Sequence, residues 1–505
     1  MLANVMAETD FPRGSWGWVI RRTQWSALGL SEEDFAKPKI AVVNTSSSMS
    51  ICYGQLDEIS KHVQHGIRAA GGFPFEIHTV APSEALFACE GQGDALATAR
   101  SAIVQDIELM VRGSGLQGMV LLSSCDSTTP AHLRAAVRLD IPSIVVPCGY
   151  QTGIGGQSTT NLYDAYEGFG AYLSGKSKFE EIDVLARNAV GSPGVCPGMA
   201  TASTMHVICE SLGITLPGAS PISGGSAKLK RYAKSAGARA VELVHENVTA
   251  RQIITKESFL NSIMVAVAVG GSTSAVTFLE EVAVDIGLDL NTRHEMERCD
   301  GKIPMLLQDI IPNGSLQIEE FEAAGGTQGI MKQLSDRLET NVLTVGGGTL
   351  RNQLDAAALP NEAVIRTLEN PVDNLPGIVI MNGDVAPGGA FLRPFTSNNR
   401  KGLKGRAKCL EGLDNAIDAL RSNQIKSGDI LVMHGLSNEF ASLLYGAGLH
   451  DVAVISDSSI IGMGRGPILI SEVRPRFDEG GPISMIKSGD IIDIDIENRQ
   501  IRHLT

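Results

Sequence analysis

The sequence predicts an α/β protein with two domains, an N-terminal parallel-sheet α/β/α domain over residues 1–350 and a β-rich C-terminal domain over residues 351–505. Two observations lead to this class. In the first half, short apolar runs alternate with segments whose apolar residues recur every three or four positions, which is typical of βαβ units and a parallel sheet. After about residue 350, strand patterns dominate and are separated by proline–glycine and asparagine–glycine turns.

The alternation of strands and helices begins at residue 40. The patterns predict strands over 40–43, 75–80, 119–122 and 144–146, and helices over 56–67, 95–111 and 130–139. Because crossovers between parallel strands are right-handed, the loops that leave the strands gather at one edge of the sheet, where α/β proteins bind ligands. Cys52, Glu84 and Cys125 lie in three of these loops, so we expect their side chains to converge.

Two cysteine-containing segments are candidate parts of a site, and the first is a candidate for cation binding. Cys125 and Asp126 place a thiol beside a carboxylate in the loop after the third strand, directly before a predicted helix, and such a pair suits cation ligation better than packing. Cys196 lies in a turn rich in glycine and proline ahead of another helix. For both cysteines, the alternative of an ordinary small buried residue stays open.

Two further segments in the first domain suggest a site. Residues 267–282 are predicted to form a buried strand, a turn and a helix, with Ser272 and Thr273 at the helix N-cap. Binding of a substrate carboxylate and simple capping explain these two hydroxyls equally well. Residues 150–169 are rich in glycine, threonine, glutamine and tyrosine and are predicted to form an irregular loop near a site.

The C-terminal domain is predicted from four strand patterns and several turns. The strands are expected over 429–433, 452–455, 468–470 and 491–496, the last being the final element of the chain. Residues 398–406 are basic and are predicted to form a solvated connecting loop. The pattern predicts a second, β-rich domain, joined to the first domain near residues 345–375.

Composition excludes several classes of protein. The formal net charge of −14 argues against a general nucleic-acid partner. Eight cysteines without a CxxC pair, in a chain this long, favour reduced thiols or scattered ligands. The most apolar region, residues 263–279, is interrupted by polar and glycine residues, and the N-terminus has no apolar core of signal-peptide length, so we expect a cytoplasmic protein without a membrane span.

Five separated segments carry a resemblance to a known family. In their order along the chain, they resemble the dihydroxy-acid and sugar-acid dehydratases, which include phosphogluconate dehydratase; the segments are residues 44–80, 123–144, 196–218, 267–276 and 480–501. The resemblance implies a hydro-lyase whose iron–sulfur cluster is bound by three cysteines and has one open iron site for the leaving hydroxyl. The matching positions are Cys52, Cys125 and Cys196. Three cysteines fit either cluster type, and we favour [2Fe–2S] over [4Fe–4S].

The chain departs from the family pattern at its magnesium and base positions. The family's carbamylated lysine falls on Ser127, directly after Asp126, and its aspartate ligand falls on Glu84. The candidate metal ligands of this chain are therefore Glu84 and Asp126. The family's glutamate ligand falls on His434, and the serine that removes the α-proton aligns without gaps with Ile461. Magnesium is therefore less expected than the cluster. We also expect poor activity on the family's usual dihydroxy acids and sugar acids.

Other side chains must then remove the α-proton and bind the substrate carboxylate. The candidate bases are His434, Ser458 and Ser459, of which the histidine has the most suitable unperturbed pKa. Three arginines are candidates for binding the substrate carboxylate, although surface arginines are common. They are Arg465, Arg474 and Arg476.

The resulting hypotheses fall into different classes. The first is a hydro-lyase that acts on a hydroxylated carboxylic acid. The alternatives are a non-catalytic homologue that keeps the cluster as a structural, redox or regulatory element, and a lyase or isomerase that uses the cluster as a Lewis acid without magnesium. The resemblance also implies a swivelling β-barrel-like C-terminal domain and a homodimer or homotetramer.

Overall fold

The computed structural model describes residues 11–89, 93–154, 160–397, 401–435, 439–459 and 464–504. The N-terminal part contains a four-stranded parallel sheet surrounded by helices, and the C-terminal part contains an eight-stranded mixed sheet. This arrangement confirms the predicted α/β class. The predicted domain boundary near residue 350 stays a prediction.

Among its described residues, the N-terminal part has four strands and seventeen helices. The strands are β1 (Lys39–Asn44), β2 (Phe73–His78), β3 (Gly118–Ser123) and β4 (Ser143–Pro147). The helices are α1 (Trp16–Ala27), α2 (Glu32–Ala36), α3 (Leu56–Ala69), α4 (Glu84–Cys89), α5 (Gly93–Ser114), α6 (Thr128–Leu139), α7 (Leu162–Leu173), α8 (Phe179–Asn188), α9 (Thr201–Ser211), α10 (Ala227–Glu246), α11 (Ala250–Ile253), α12 (Lys256–Ala268), α13 (Thr273–Ile286), α14 (Thr292–Glu297), α15 (Ile318–Ala323), α16 (Gly326–Gln333) and α17 (Leu350–Ala356).

The order of the parallel sheet determines where a site can form. Its strands lie in the order β2–β1–β3–β4 and all pair in parallel. The chain leaves β1 toward one side of the sheet and β3 toward the other, so a crevice opens between the loops that follow these two strands. These loops carry Cys52 and Cys125.

Close packing holds the layers together. Strands β1, β3 and β4 are buried along their whole length, as expected for a parallel sheet covered on both faces. Helix α3 packs closely against α10 because glycines stand at their contact. A Cβ atom on Gly66 would overlap the backbone of Lys234, and one on Gly237 would overlap the backbone of Val63.

The C-terminal sheet nearly closes into a barrel. Its strands and helices are β5 (Val379–Met381), β6 (Ala390–Leu392), β7 (Gly402–Glu411), α18 (Gly412–Arg421), β8 (Ile430–His434), α19 (Phe440–Gly446), β9 (Ala453–Ser456), β10 (Ile468–Ser471), β11 (Ile491–Asp495) and β12 (Gln500–Leu504). The strand order is β12–β11–β7–β8–β9–β10–β6–β5. The two outermost strands meet where Asn382 accepts a hydrogen bond from the Ile501 amide at 2.7 Å. Isoleucine and valine side chains fill the interior.

Several predicted elements are wrong in detail. Residues 263–268 belong to helix α12 and not to a strand, because Thr255 and Ser258 form a capping box and the helix that follows is buried on nearly all sides. A short apolar run does not distinguish the two cases. Helix α7 begins at Leu162, inside the segment that was predicted to be irregular, and Asn161 caps it.

The basic segment and the last strand also differ from the prediction. Residues 398–400 lie outside the described residues, but residues 402–406 begin strand β7 and are not a loop. Its basic residues alternate with Leu403, Ala407 and Cys409, which pack on the barrel core, so the alternation is that of a strand with one solvated face. Strand β11 is followed by one further strand, β12.

Candidate active site

A cavity of about 280 Å³ opens at the edge of the parallel sheet where the loops after the strands gather. All three cysteines expected to bind the cluster line it, together with Glu84 and Asp126. The described residues of its wall are Met49, Ser50, Ile51, Cys52, Ser83, Glu84, Ala85, Leu86, Cys125, Asp126, Gln151, Leu162, Tyr166, Val190, Cys196, Ala200, Thr201 and Glu439. The predicted convergence of Cys52, Glu84 and Cys125 is thus found in the structure.

The loops that carry Cys52 and Cys125 are joined by hydrogen bonds. The Ser124 hydroxyl donates to the carbonyl oxygen of Cys52 at 2.5 Å. The Thr128 hydroxyl, in the first turn of α6, donates to the carbonyl oxygen of Cys125 at 2.9 Å. These contacts fix both backbones while leaving the thiols at the cavity.

The third thiol reaches the cavity from the turn before α9. In this turn, the Gly198 amide donates to the carbonyl oxygen of Cys196 at 2.9 Å, and the Met199 amide donates to the Ile311 carbonyl oxygen at 2.6 Å. Gln151 connects this turn to the first cysteine. Its side-chain amide donates to the carbonyl oxygen of Gly194 at 2.8 Å and lies 3.9 Å from the Sγ atom of Cys52.

Three carboxylates share the cavity with the thiols. Glu84 is the first residue of helix α4. The prediction that it lies in the loop before this helix is therefore wrong. Its Oε1 atom accepts a short hydrogen bond from the Ser127 hydroxyl. Asp126 is hydrogen-bonded to Thr201 at the start of α9, and Glu439 directly precedes α19.

Burial and mutual repulsion disfavour negative charge in this cavity. Burial raises the pKa of Glu84 to about 7, although the hydrogen bond from Ser127 opposes the rise. Burial, followed by the charges of Glu84 and Cys52, raises the pKa of Asp126. Burial also raises the pKa of Cys196. A hydrogen bond with Cys125 lowers the pKa of Cys52, which makes it the thiol that ionises most readily.

The wall of the cavity lacks a described positive charge. Among its described residues, none is a lysine, an arginine or a histidine. Three thiols and three carboxyl groups in a buried space repel one another when they ionise, and a cation removes this cost. The arrangement is therefore suited to a positively charged group.

Glycines bring helices α7 and α19 together above the cavity. A Cβ atom on Gly170 of α7 would overlap the backbone of Leu443, and one on Gly446 of α19 would overlap the backbone of Glu167. Helix α7 carries Tyr166 and α19 follows Glu439, so this contact places both side chains at the cavity.

The candidate bases lie at the carboxyl ends of β8 and β9 and not on the described cavity wall. Nδ1 of His434 lies 2.9 Å from a carboxylate oxygen of Asp457, which is buried. The Ser458 amide donates to the Ser456 hydroxyl at 3.1 Å. Ser459 makes a short hydroxyl contact with Ser274 in the first turn of α13. Ile461 lies outside the described residues.

The predicted substrate-binding hydroxyls are close to the carboxylates. The Ser272 hydroxyl lies 2.7 Å from that of Thr201, which contacts Asp126. The Thr273 hydroxyl lies 3.4 Å from that of Ser471 in β10. Residues 272–274 therefore bring the start of α13 to the boundary between the two parts of the chain.

The three candidate arginines have other partners in the structure. Arg465 binds both carboxylate oxygens of Glu167, at 2.7 and 2.9 Å. Arg474 donates to the Asp457 carbonyl oxygen at 3.2 Å, and Nε of Arg476 lies 4.0 Å from the Asp457 carboxylate. The structure thus does not bring them together at the cavity, and their role as a clamp stays a prediction.

Sequence reasoning missed several side chains of the cavity wall. Glu439 follows strand β8 of the C-terminal sheet, so the edge rule for the N-terminal parallel sheet did not indicate it. Thr201 begins the helix that follows the Cys196 turn, and Tyr166 and Gln151 lie in the segment predicted to be near a site. Their individual roles had no signal in the sequence.

Comparison with known proteins identifies the family. The profile of the dihydroxy-acid/6-phosphogluconate dehydratase N-terminal domain matches residues 37–353, and that of the C-terminal domain matches residues 363–505. The chain belongs to the dihydroxy-acid/6-phosphogluconate dehydratase family. The resemblance inferred from the five segments is thereby confirmed, and the family places the protein among enzymes of the lyase class.

Named relatives match along almost the whole chain. Dihydroxy-acid dehydratase 1 of Methanosarcina acetivorans is 37% identical over 498 residues, which cover 95% of this chain and 89% of the relative. The dihydroxy-acid dehydratase of Caldanaerobacter subterraneus subsp. tengcongensis is 37% identical over 94% of this chain and 88% of its own length. That of Nocardioides sp. is 34% identical, with 94% and 86% covered. In the described part of the chain, no helix is both long and apolar enough to cross a membrane.

Proposed function

We propose that this protein is an iron–sulfur-dependent hydro-lyase that removes water from a small hydroxylated carboxylic acid. The observation that carries the proposal is the meeting of Cys52, Cys125 and Cys196 on one cavity, from three separate loops. The names of the relatives support a dehydratase acting on hydroxy acids. The cavity of about 280 Å³ is close to the lower end of the usual range for small-molecule sites.

The residues present fit a cluster better than a single metal ion. Among the described residues, no three His, Cys, Asp or Glu side chains form a group that could hold one ion. The cavity offers three thiols on separate loops, and thiolates are the ligands of iron–sulfur clusters. The buried acidic groups around them favour a positively charged occupant. A magnesium ion at Glu84 and Asp126, with Glu439, is the lesser proposal, since these carboxylates would have to close around it.

The proposed chemistry divides between the cluster and the chain. When bound, the cluster supplies a Lewis-acidic iron for the hydroxyl group that leaves. The side chains of Ile51, Leu86 and Val190 make part of the cavity wall apolar. Ser272 and Thr273, at the N-terminus of the fourteen-residue helix α13, are suited to orient the substrate carboxylate.

His434 is the base that we propose for the α-proton. Asp457 holds its Nδ1 atom, which leaves Nε2 as the atom that can take up a proton. The side chain is half exposed, and the loop that follows it carries Glu439 into the cavity wall. Ser459, which contacts the first turn of α13, is the second candidate, and Ser458 is the third.

Two observations disfavour the alternative of a non-catalytic homologue. The family consists of enzymes, and the cavity beside the thiols is open and not filled by described side chains. The proposal also includes assembly as a homodimer or homotetramer in the cytoplasm, with no nucleic-acid partner. Light scattering at micromolar concentration tests the assembly, and a monomer would contradict it.

The experiment that tests the proposed function is anaerobic purification followed by a screen of hydroxy acids for water loss. The screen should include 2,3-dihydroxy acids, aldonic acids and simpler 2- and 3-hydroxy acids. We expect turnover of at least one acid, and low turnover of the first two classes. Protein that contains iron and sulfide but dehydrates none of these acids would contradict the proposal and favour the non-catalytic homologue.

A further inference from the structure

The side chain of Gln151 lies between two of the three cysteines that we expect to bind the cluster. It is 2% exposed and lines the cavity together with Cys52. Its Nε2 atom carries two hydrogen atoms and can therefore donate two hydrogen bonds. One goes to the carbonyl oxygen of Gly194 at 2.8 Å, and the other goes to the larger sulfur atom of Cys52 at 3.9 Å. Gln151 thus joins the first cysteine to the turn that carries Cys196.

The carbonyl group of Gly194 fixes the orientation of this side-chain amide. A flipped amide would turn its own carbonyl oxygen toward the Gly194 oxygen, and two acceptors repel each other. The main chain of Gln151 is held by the same turn, because its amide donates to the Val195 carbonyl oxygen at 2.8 Å. The N–H group that faces Cys52 is therefore set by the fold and does not depend on a bound group.

Gly194 also contacts the residue directly before Cys52. Its amide donates to the Ile51 carbonyl oxygen at 3.4 Å. Gly194 has a φ of +132°, and a Cβ atom there would stand 2.5 Å from the carbonyl carbon of Tyr150, so this close approach requires a glycine. The contacts form a closed set that runs from Cys52 through Gln151 and Gly194 back to Ile51. This set holds the Cys52 thiol at a fixed place relative to the turn.

We propose that Gln151 is a positioning residue of the cluster and that its side-chain amide donates a hydrogen bond to the sulfur atom of Cys52 in the loaded protein. This inference rests on the proposed cluster. Donors to the sulfur atoms of a cluster stabilise its more negative, reduced state, and polar neighbours of the ligands orient them. Gln151 thus raises the reduction potential of the cluster and fixes the direction from which Cys52 binds it.

The test compares Gln151→Met with a matched control in the loaded protein. Gln55→Met is the control, because the buried side-chain amide of Gln55 donates to the Cys148 carbonyl oxygen at 3.0 Å. Both variants lose an amide–carbonyl hydrogen bond, and Gln151→Met also loses the donor to sulfur. After iron and sulfide analysis, a spectroscopically monitored redox titration should give a lower potential for Gln151→Met and the wild-type potential for Gln55→Met. An unchanged potential in Gln151→Met, or an equal decrease in both variants, would overturn the inference.

A spectroscopic measurement keeps the test decisive if Gln151→Met loads poorly. The one-electron reduced cluster is paramagnetic, so pulsed EPR detects a nitrogen atom whose hydrogen atom bonds to a sulfur atom of the cluster or its ligands. Wild-type protein labelled with ¹⁵N in its glutamine side chains should show this coupling, and labelled Gln55→Met should keep it. Absence of the coupling in the reduced wild type would overturn the inference. Wild-type protein that takes up no iron or sulfide would instead contradict the proposed function itself.

Discussion

The carboxylate of Asp457 lies 2.9 Å from Nδ1 of His434. Asp457 is buried, and it also accepts a hydrogen bond from the Phe477 amide at 3.1 Å. A carboxylate held in this way fixes the orientation and tautomer of the imidazole ring. Nε2 of His434 is thereby left to accept a proton.

We predict that His434→Gln lowers kcat by about 10² to 10⁴, the usual contribution of a positioned general base. Iron and sulfide content should not change, because the proposed cluster ligands are the three cysteines and not His434. His503→Gln is the matched control, since its Nε2 atom also pairs with an aspartate, Asp490, at 2.9 Å. Steady-state kinetics on the substrate found in the screen provide the measurement.

Normal turnover in His434→Gln would transfer the role of the base to the serines. Ser459→Ala should then abolish turnover, because Ser459 contacts the first turn of α13, whereas Ser458→Ala should have a small effect. Normal rates in all three variants would contradict the assignment of the base to His434, Ser458 or Ser459.

Bicarbonate should have no effect on activity. A lysine at position 127 is needed to form the carbamate that the family resemblance implies, and this chain has Ser127, whose hydroxyl donates to Glu84. We expect the same kcat in buffers stripped of carbon dioxide and in buffers with added bicarbonate. Activation by bicarbonate would mean that a lysine from another part of the molecule reaches the site.

The contact between helices α7 and α19 makes a prediction about stability. Gly446→Ala should lower the free energy of unfolding by about 1–3 kcal/mol, the usual cost of overpacking. The reason is that the new Cβ atom would overlap the backbone of Glu167. Gly113→Ala in helix α5 is the control. Nothing lies within 4 Å of its added Cβ, and alanine favours a helix, so its stability should be equal or higher. Denaturant unfolding compares the two.

Two buried histidines below the Cys125 loop should make stability depend on pH. Burial lowers the pKa of His132 to about 3 and that of His206 to about 4. The unfolded chain binds these protons near pH 6.5. Their contribution to stability is therefore complete above pH 6.5 and is lost by about 1.4 kcal/mol per pH unit for each histidine as the pH falls from 6.5, down to about pH 4 for His206 and about pH 3 for His132.

The measurement is the difference between the wild type and His206→Gln. The glutamine amide can replace the Nε2–H group that donates to the Ser124 carbonyl oxygen at 3.2 Å, so the variant removes the titration and keeps the donor. The wild type must be compared with the variant because two buried acids also make stability depend on pH. Burial raises the pKa of Glu84 and Glu210 to about 7, so between pH 7 and 4.5 these acids stabilise the fold as the pH falls, which is opposite to the effect of the histidines. Below pH 6.5 the stability of His206→Gln should fall less steeply. Parallel curves would contradict the prediction.

Much of the site could be predicted because strand order determines where loops meet. Strands β1 and β3 were visible as apolar runs, so the convergence of Cys52 and Cys125 followed from the handedness of the crossovers. The place of Cys196 at the site did not follow from strand order. Its turn precedes a helix outside the sheet, and only the family resemblance indicated that it joins the other two thiols.

Other features of the site and fold depend on contacts between residues that are distant in the sequence. Glu439 reaches the cavity because Gly170 and Gly446 allow two distant helices to pack closely, and no local pattern encodes that contact. The gapless comparison with the family placed the missing glutamate on His434, whereas the structure places Glu439 on the cavity wall. Helix α12 was mistaken for a strand because a helix that is buried on nearly all sides has no amphipathic period.

The central claim, that Cys52, Cys125 and Cys196 hold one iron–sulfur cluster, is tested most directly by iron and acid-labile sulfide analysis of anaerobically purified protein. The comparison is between the wild type, Cys125→Ser and Cys209→Ser, whose cysteine is buried in helix α9 away from the described cavity wall. We expect brown wild-type and Cys209→Ser proteins that contain iron and sulfide, and a bleached Cys125→Ser protein. Equal iron and sulfide content in Cys125→Ser and the wild type, or none in the wild type after reconstitution, would contradict the claim.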